Sequence, residues 1–249
     1  MSEPTHPAYP TYPGSSGHGE AAGPPPPPPP PPPPVGYAVP PAVYPSPLRG
    51  LAIGTIVVAA LYTVLQVVST VLAWQAQARY TEAGERGESA ANIVTPYELT
   101  SLLWFPVLIG AYVVTCLWLF QARKNLELIG PTLTHARRRG WVWAGWVCPF
   151  VSLWFPYQVV RDVARDQRGF TTSPVVGAWW AFWLIAFALT QVSGMLVPAD
   201  EVDVDSVSAL GPVTTACTLV TVVALALWAR VVRDVTRYLD PQAVAAPQA

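Results

Sequence analysis

The sequence predicts an all-α integral membrane protein. Four transmembrane helices, a re-entrant or interfacial Trp/Pro-rich segment and an amphipathic helix follow a disordered proline-rich N-terminal tail. Three observations carry this. Of 249 residues, 52% are apolar and only 12% are Asp, Glu, Lys or Arg, about half the charge of an ordinary soluble domain. Beyond residue 48, long uncharged apolar blocks alternate with short charged connectors, the pattern of a polytopic membrane protein. Finally, 19 of the 29 prolines fall within the first 48 residues, so composition divides the chain there.

The tail, residues 1–48, is rich in Pro, Tyr, Gly, Ala and Ser, and Pro24 to Pro34 is an unbroken run of eleven prolines. Such a run lacks amide donors and can join neither helix nor sheet ladder, so polyproline II is expected. At ~3.1 Å per residue it would reach roughly 34 Å. Two readings stay open: a stiff solvated tether, or a docking peptide for a protein partner with an aromatic-lined groove. No basic n-region followed by an apolar h-region opens the chain, so the first span is expected to direct insertion.

Ser46-Pro47 has the form of a helix cap followed by proline at the first helical position. The membrane domain is expected over 49–240, followed by a short tail, 241–249. Its first span, about 51–74, carries no charge. The connector after it, Gln75 to Ser101, has a net charge of −2 and ends in Thr95-Pro96-Tyr97-Glu98, a capping box that marks the start of the second helix. That span is expected over 102–120. The connector from Gln121 to Gly140 has a net charge of +4. The third span is expected over 175–197. A loop with Asp200, Glu201, Asp203 and Asp205 and no cation leads to the fourth, 206–229, which Arg230, Arg233 and Arg237 follow.

Topology turns on the remaining block, 141–160, which hydropathy alone would make a fifth span. If it does not cross, one side of the membrane receives 12 of the 14 Lys and Arg residues and the other side both acidic connectors. That is a strong positive-inside pattern, with N- and C-termini cytoplasmic in a plasma-membrane protein. Pro149 and Pro156 interrupt any helix, while Trp141, Trp143, Trp146 and Trp154 favour the interface. The block is therefore read as half-inserted from the cytoplasmic side. Beyond Pro156, Val159, Val160, Val163 and Ala164 share one helical face and Arg161, Arg165 and Arg168 another, an amphipathic helix expected along the headgroups. The heptads Val159–Arg165 and Val231–Arg237 agree at six of seven positions; with no wider repeat, this is read as coincidence.

Little in the sequence suggests chemistry. The four apolar blocks contain no Asp, Glu, Lys, Arg or His, which argues against a proton-coupled transporter or ion pump. No metal-ligand spacing, cofactor motif or catalytic string occurs, so no catalytic residue, cofactor or metal is expected. Asp162 and Asp166 read as helix-surface charge beside arginines. Cys116, Cys148 and Cys217 lie in apolar blocks and read as buried small hydrophobes. Near-neutral net charge argues against nucleic acid as a partner. Thr55, Tyr62, Gln66 and Ser69 share one face of the first span, and Thr214, Thr218 and Thr221 one face of the last. Such residues suit helix packing in lipid, and a polar-lined path stays open as the alternative. Arg137, Arg138 and Arg139 beside Trp141 and Trp143 suit a headgroup-level anchor on anionic lipid.

Arg139-Gly140-Trp141, Gly145-Trp146, Pro149, and Trp154 with Pro156-Tyr157-Gln158 and Arg161 form a pattern that resembles a known family, and Arg123-Lys124-Asn125 also fits it. These are the actinobacterial membrane proteins catalogued as a domain of unknown function (number 4328), and the resemblance covers roughly residues 50–238. It implies membrane location and four spans, and supplies no activity. Arg139, Trp141, Trp146, Pro149, Trp154, Pro156, Tyr157 and Arg161 are therefore the candidate site residues, on the cytoplasmic face. The expected function is that of a non-enzymatic, membrane-anchored interaction or scaffold protein. The alternative is a permeation or lipid-handling protein that uses the polar helix faces and the broken 149–156 segment.

Overall fold

The structure, a computed structural model, describes residues 45–129, 135–165, 174–199 and 201–239. The expected tail up to residue 44, the segment 241–249, Asp166 and Arg168 lie outside the described residues. The helices are α1 (Arg49–Glu85), α2 (Pro96–Leu99), α3 (Ser101–Ile129), α4 (Trp141–Val147), α5 (Phe155–Val163), α6 (Pro174–Met195), α7 (Val204–Val207) and α8 (Leu210–Leu239). Four of these units, α1, α2–α3, α6 and α7–α8, are long and apolar enough to cross a membrane. The chain is a multi-pass membrane protein, and α8 packs on both α6 and α1, with α1 also on α3.

The helices overrun the apolar blocks. At 37 residues α1 is about 55 Å long, against ~30 Å of hydrocarbon. Its extension, expected as connector, is helical because Ala73, Ala76, Tyr80 and Ala83 recur at helical spacing and are buried. Ala73, Ala76 and Tyr80 pack with Ala90, Val207 and Leu210. Arg79, Glu82 and Glu85 occupy other faces of the same turns, so average hydropathy falls while the buried stripe continues. At the other end of the bundle, Val231, Val232, Val235 and Leu239 of α8 join Leu126 of α3 in one core.

Polar residues on the span faces bind helix to helix. The hydroxyls of Thr55 and Thr115 are 2.7 Å apart, and those of Thr70 and Thr218 2.6 Å. Thr70 also donates to the Thr214 carbonyl at 3.1 Å. Gly211 of α8 makes room for the Trp74 ring of α1: a Cβ there would lie 2.5 Å from that ring.

Two expected caps are different in the structure. Helix α1 starts at Arg49 with Leu48 as its N-cap, and neither Leu48 nor Thr95 caps through its side chain. Ser46 instead gives its backbone to Asn125. Thr95 is the N-cap of α2, yet Glu98 accepts hydrogen bonds from the Thr95 and Tyr80 hydroxyls, so the reciprocal capping box does not form.

Candidate functional site

The 141–160 block is a helical hairpin, α4 and α5 joined by a turn and a 3-10 helix at Val151–Leu153. It does not cross the bundle. Phe150, in the turn, has φ 60°, and Pro156 sits in the first turn of α5. The two helices meet at Gly145, where a Cβ would lie 3.3 Å from Phe155 Cβ.

Hydrogen bonds from both flanking spans fix the depth of the hairpin. The Tyr112 hydroxyl of α3 donates to the Trp143 carbonyl at 3.1 Å, and the Cys116 thiol to that of Val142 at 3.2 Å. From α6, the Trp180 indole donates to the Leu153 carbonyl at 3.1 Å. Tyr112 precedes the end of its apolar block by eight residues, and Trp183, which meets Trp146, follows the start of its own by eight. Both offsets correspond to about 12 Å, less than half the hydrocarbon thickness. At the tip, Val147, Phe150, Leu153 and Trp154 are exposed, Phe150 by 79%.

All eight predicted residues lie on or beside this hairpin, but they do not converge on one point. Trp141 stands edge-on to Phe155 at 4.6 Å, and Trp154 also meets Phe155, at 6.0 Å. Trp146 stands edge-on to Trp180 and Trp183, at 6.4 and 6.2 Å. Tyr157 stacks on Trp180 at 6.5 Å and carries the Arg161 guanidinium 5.6 Å from its ring centre. Pro156 is buried and Pro149 exposed. Arg139 is exposed at the base, where its Nε donates to Glu127 at 2.8 Å. Trp179, Trp180 and Trp183, which hold or flank the hairpin, were not among the predicted residues. Their signal was three tryptophans within five positions at one end of the third span.

The polar base of the hairpin was also underread. Arg137 donates from Nε to Gln158 at 2.8 Å and lies 3.9 Å from the Phe155 ring centre. Arg123, buried, donates to Glu127 at 3.0 Å. Asp162 is 2% exposed, not a surface charge; it accepts from the Ala136 amide at 2.6 Å and pairs with Arg165 at 3.0 Å. The apolar face of α5 is likewise covered by the bundle itself, since Val159, Val160 and Val163 belong to its core. His135 is buried beside this network, with Nε2 3.7 Å from Glu127, too far for a hydrogen bond. Burial, and then the Arg123 charge, push its pKa below the usual imidazole range, which favours the neutral ring.

At the opposite end of the bundle, the polar faces of α1, α6 and α8 meet α2–α3 around a cavity of about 290 Å³. Gln66, Ser69, Glu98, Thr190, Ser193 and Thr214 contribute to its wall. The polar residues of the first span thus do two things: Thr55 binds a neighbouring helix, Gln66 lines a space, and Ser69 does both, donating to the Thr100 hydroxyl at 3.3 Å. Among the described residues, no group of three or more His, Cys, Asp or Glu is placed to hold a metal ion.

A family model, Domain of unknown function (DUF4328), matches residues 89–237. The match takes in the hairpin and three of the four spans; α1, within the expected extent of the resemblance, lies outside it. No curated protein and no solved structure matches the chain.

Proposed function

The chain belongs to the family of the domain of unknown function DUF4328, and from that premise we propose that it is a non-enzymatic, membrane-anchored interaction protein working at the cytoplasmic leaflet. Both termini are cytoplasmic in this reading. The hairpin seats the protein in that leaflet, its basic base meets anionic headgroups, and the proline-rich tail recruits a protein partner.

One observation carries the reading: the hairpin combines an exposed apolar tip with a cationic base tied to the bundle. Val147, Phe150, Leu153 and Trp154 are exposed at the tip, at a depth where lipid chains would cover them. At the base Arg137 is braced by Gln158 and Phe155, while Arg138 and Arg139 are exposed. Each cation at such a surface gains roughly 1 kcal/mol from anionic lipid.

The test is purification of the full chain in mild detergent beside a chain lacking residues 2–46, with mass spectrometry of associated proteins and lipids. Partners that disappear with residues 2–46, and anionic lipids reduced by Arg138→Gln, are the expected result. A chain whose protein and lipid company is indifferent to both changes is not an adaptor. A second reading, permeation or lipid handling, draws on the polar cavity. Under it, Gln66→Leu and Pro156→Leu abolish a measured flux; under the first the proteins that depend on residues 2–46 stay with both variants.

A further inference from the structure

We propose that the cavity at the end of the bundle away from the hairpin is a binding site for a small primary-ammonium ligand, either a free amine or the amino headgroup of a lipid. The argument begins with Gln66. It is 5% exposed and lines the cavity, yet its side-chain amide has no hydrogen-bond partner among the described residues. The amide atoms open on the cavity rather than being sealed from it, so they are free to pair with a polar occupant.

The rest of the wall determines which occupant fits. The Thr190 hydroxyl donates to the Ala186 carbonyl at 2.9 Å, Ser193 to Thr190 at 2.9 Å, and Thr214 to Leu210 at 2.9 Å. Thr100 donates to the Tyr97 carbonyl at 2.6 Å. These four protons are committed to helix carbonyls, and that of Ser69 to the Thr100 hydroxyl at 3.3 Å, so what these five hydroxyls retain for an occupant is acceptor capacity. The wall contains one carboxylate, Glu98, and no Lys, Arg or His. Glu98 makes no ion pair among the described residues, and both of its hydrogen bonds, from Tyr80 and Thr95, fall on Oε1.

Two further features favour positive charge. Helix α6 ends at Met195 with no basic residue in its last turn, and Ser193 and Gly194 of that turn line the cavity. The negative end of the helix dipole is thus directed towards the site without compensation. Tyr97 and Trp104 add aromatic rings to the wall, which attract a cation over their faces.

An anion finds no cation here, and a neutral polyol brings no charge to pair with Glu98. A bare metal ion requires several oxygens within about 2.5 Å, and the wall offers one carboxylate, with no group of three or more His, Cys, Asp or Glu placed for a metal among the described residues. The cavity volume of about 290 Å³ stands at the lower end of small-molecule sites, roughly 300–1,000 Å³, ample for a small amine or a lipid's amino headgroup. A primary ammonium presents three donors and one charge to a wall whose acceptors include Gln66 Oε1, Glu98 and the hydroxyl oxygens.

The experiment uses the full chain in nanodiscs and follows tryptophan fluorescence. In phosphatidylcholine discs, ethanolamine should bind saturably, while ethylene glycol and tetramethylammonium, lacking the charge or the donors, should bind at least about tenfold more weakly. Gln66→Leu and Glu98→Gln should each weaken ethanolamine by at least about tenfold. Native mass spectrometry from mixed phosphatidylethanolamine and phosphatidylcholine discs separates the sources: retained phosphatidylethanolamine, lost in both variants, identifies a lipid headgroup, and its absence beside saturable ethanolamine binding identifies a free amine. Equal binding of ethanolamine and ethylene glycol by the wild-type chain, or no binding of ethanolamine and no retained phosphatidylethanolamine, overturns the proposal. That comparison needs no variant to fold.

Discussion

The side-chain amide of Asn125 holds the backbone of Ser46 at two points: Oδ1 accepts from the Ser46 N–H at 3.0 Å, and Nδ2 donates to the Ser46 carbonyl at 2.7 Å. The two residues are 79 positions apart, and Asn125 is 0% exposed. The entry to α1 is thereby fixed to the far end of α3, just after the second apolar block. A two-point grip on one residue's backbone, across two successive peptide units, sets the orientation of the segment as well as its position.

Asn125→Ala removes both bonds and leaves polar backbone atoms without partners, at a cost of about 2–3 kcal/mol. A lower melting temperature in detergent is expected, together with faster proteolysis just before α1. Unchanged proteolysis there would mean that the buried Leu48 side chain alone holds the segment.

His135 makes stability depend on pH. Its pKa is held down in the folded protein by burial and by Arg123, whereas the unfolded chain takes up the proton near 6.5. The unfolded state therefore binds more protons below that pH, so the contribution is complete above about 6.5 and declines as pH falls through the depressed folded value. Melting temperatures between pH 8 and 5 should fall on acidification, and fall less in His135→Phe. A wild-type melting temperature that rises on acidification would instead point to a stabilising ion pair with Glu127.

Phe150 has φ 60° and ψ −48°, a region that costs a non-glycine residue about 1–3 kcal/mol. Phe150→Gly should relieve that strain and remove an exposed ring at the hairpin tip. The expected outcome is a split: unchanged or higher melting temperature in detergent, but weaker protection of a tip-directed fluorophore from aqueous quencher in bilayers. Loss of both together would assign the ring a packing role.

At Gly211 a side chain would collide with the Trp74 ring, whose indole donates to Thr215 at 3.0 Å. Gly211→Val must displace the ring and break that bond, at a cost of about 1–3 kcal/mol. The lowered melting temperature should be partly restored by Trp74→Ala in the same chain, a coupling that a double-mutant cycle measures.

Orientation is tested by single cysteines in a chain lacking Cys116, Cys148 and Cys217. Glu201→Cys should react with an impermeant maleimide in intact cells, and Arg138→Cys only after lysis. The reverse pattern would place the hairpin and the basic connector outside.

Four apolar blocks, each without Asp, Glu, Lys, Arg or His, were sufficient to establish the helical membrane class, because hydrocarbon leaves an unpaired backbone no alternative to the helix. The break in the fifth block was legible for a similarly local reason: Pro149 and Pro156 remove donors wherever the chain lies. Helix length was not legible, since the extensions of α1 and α8 combine exposed charges with a buried stripe whose partners are remote in sequence. Nor was the pairing of Asn125 with Ser46, or the cavity that Gln66 and Glu98 both line, because no local pattern encodes which helix faces which. The two near-identical heptads show where the boundary lies. Both are helical, and both bury their three valines in the core, Val159, Val160 and Val163 in one and Val231, Val232 and Val235 in the other, as their shared sequence requires. Their aspartates diverge: Asp162 is sealed against the Ala136 amide with its side chain 2% exposed, while the Asp234 side chain is 57% exposed. Local sequence determines the helix and its apolar face, but the surroundings of a charge depend on which distant segment folds over it, and only the tertiary structure decides that.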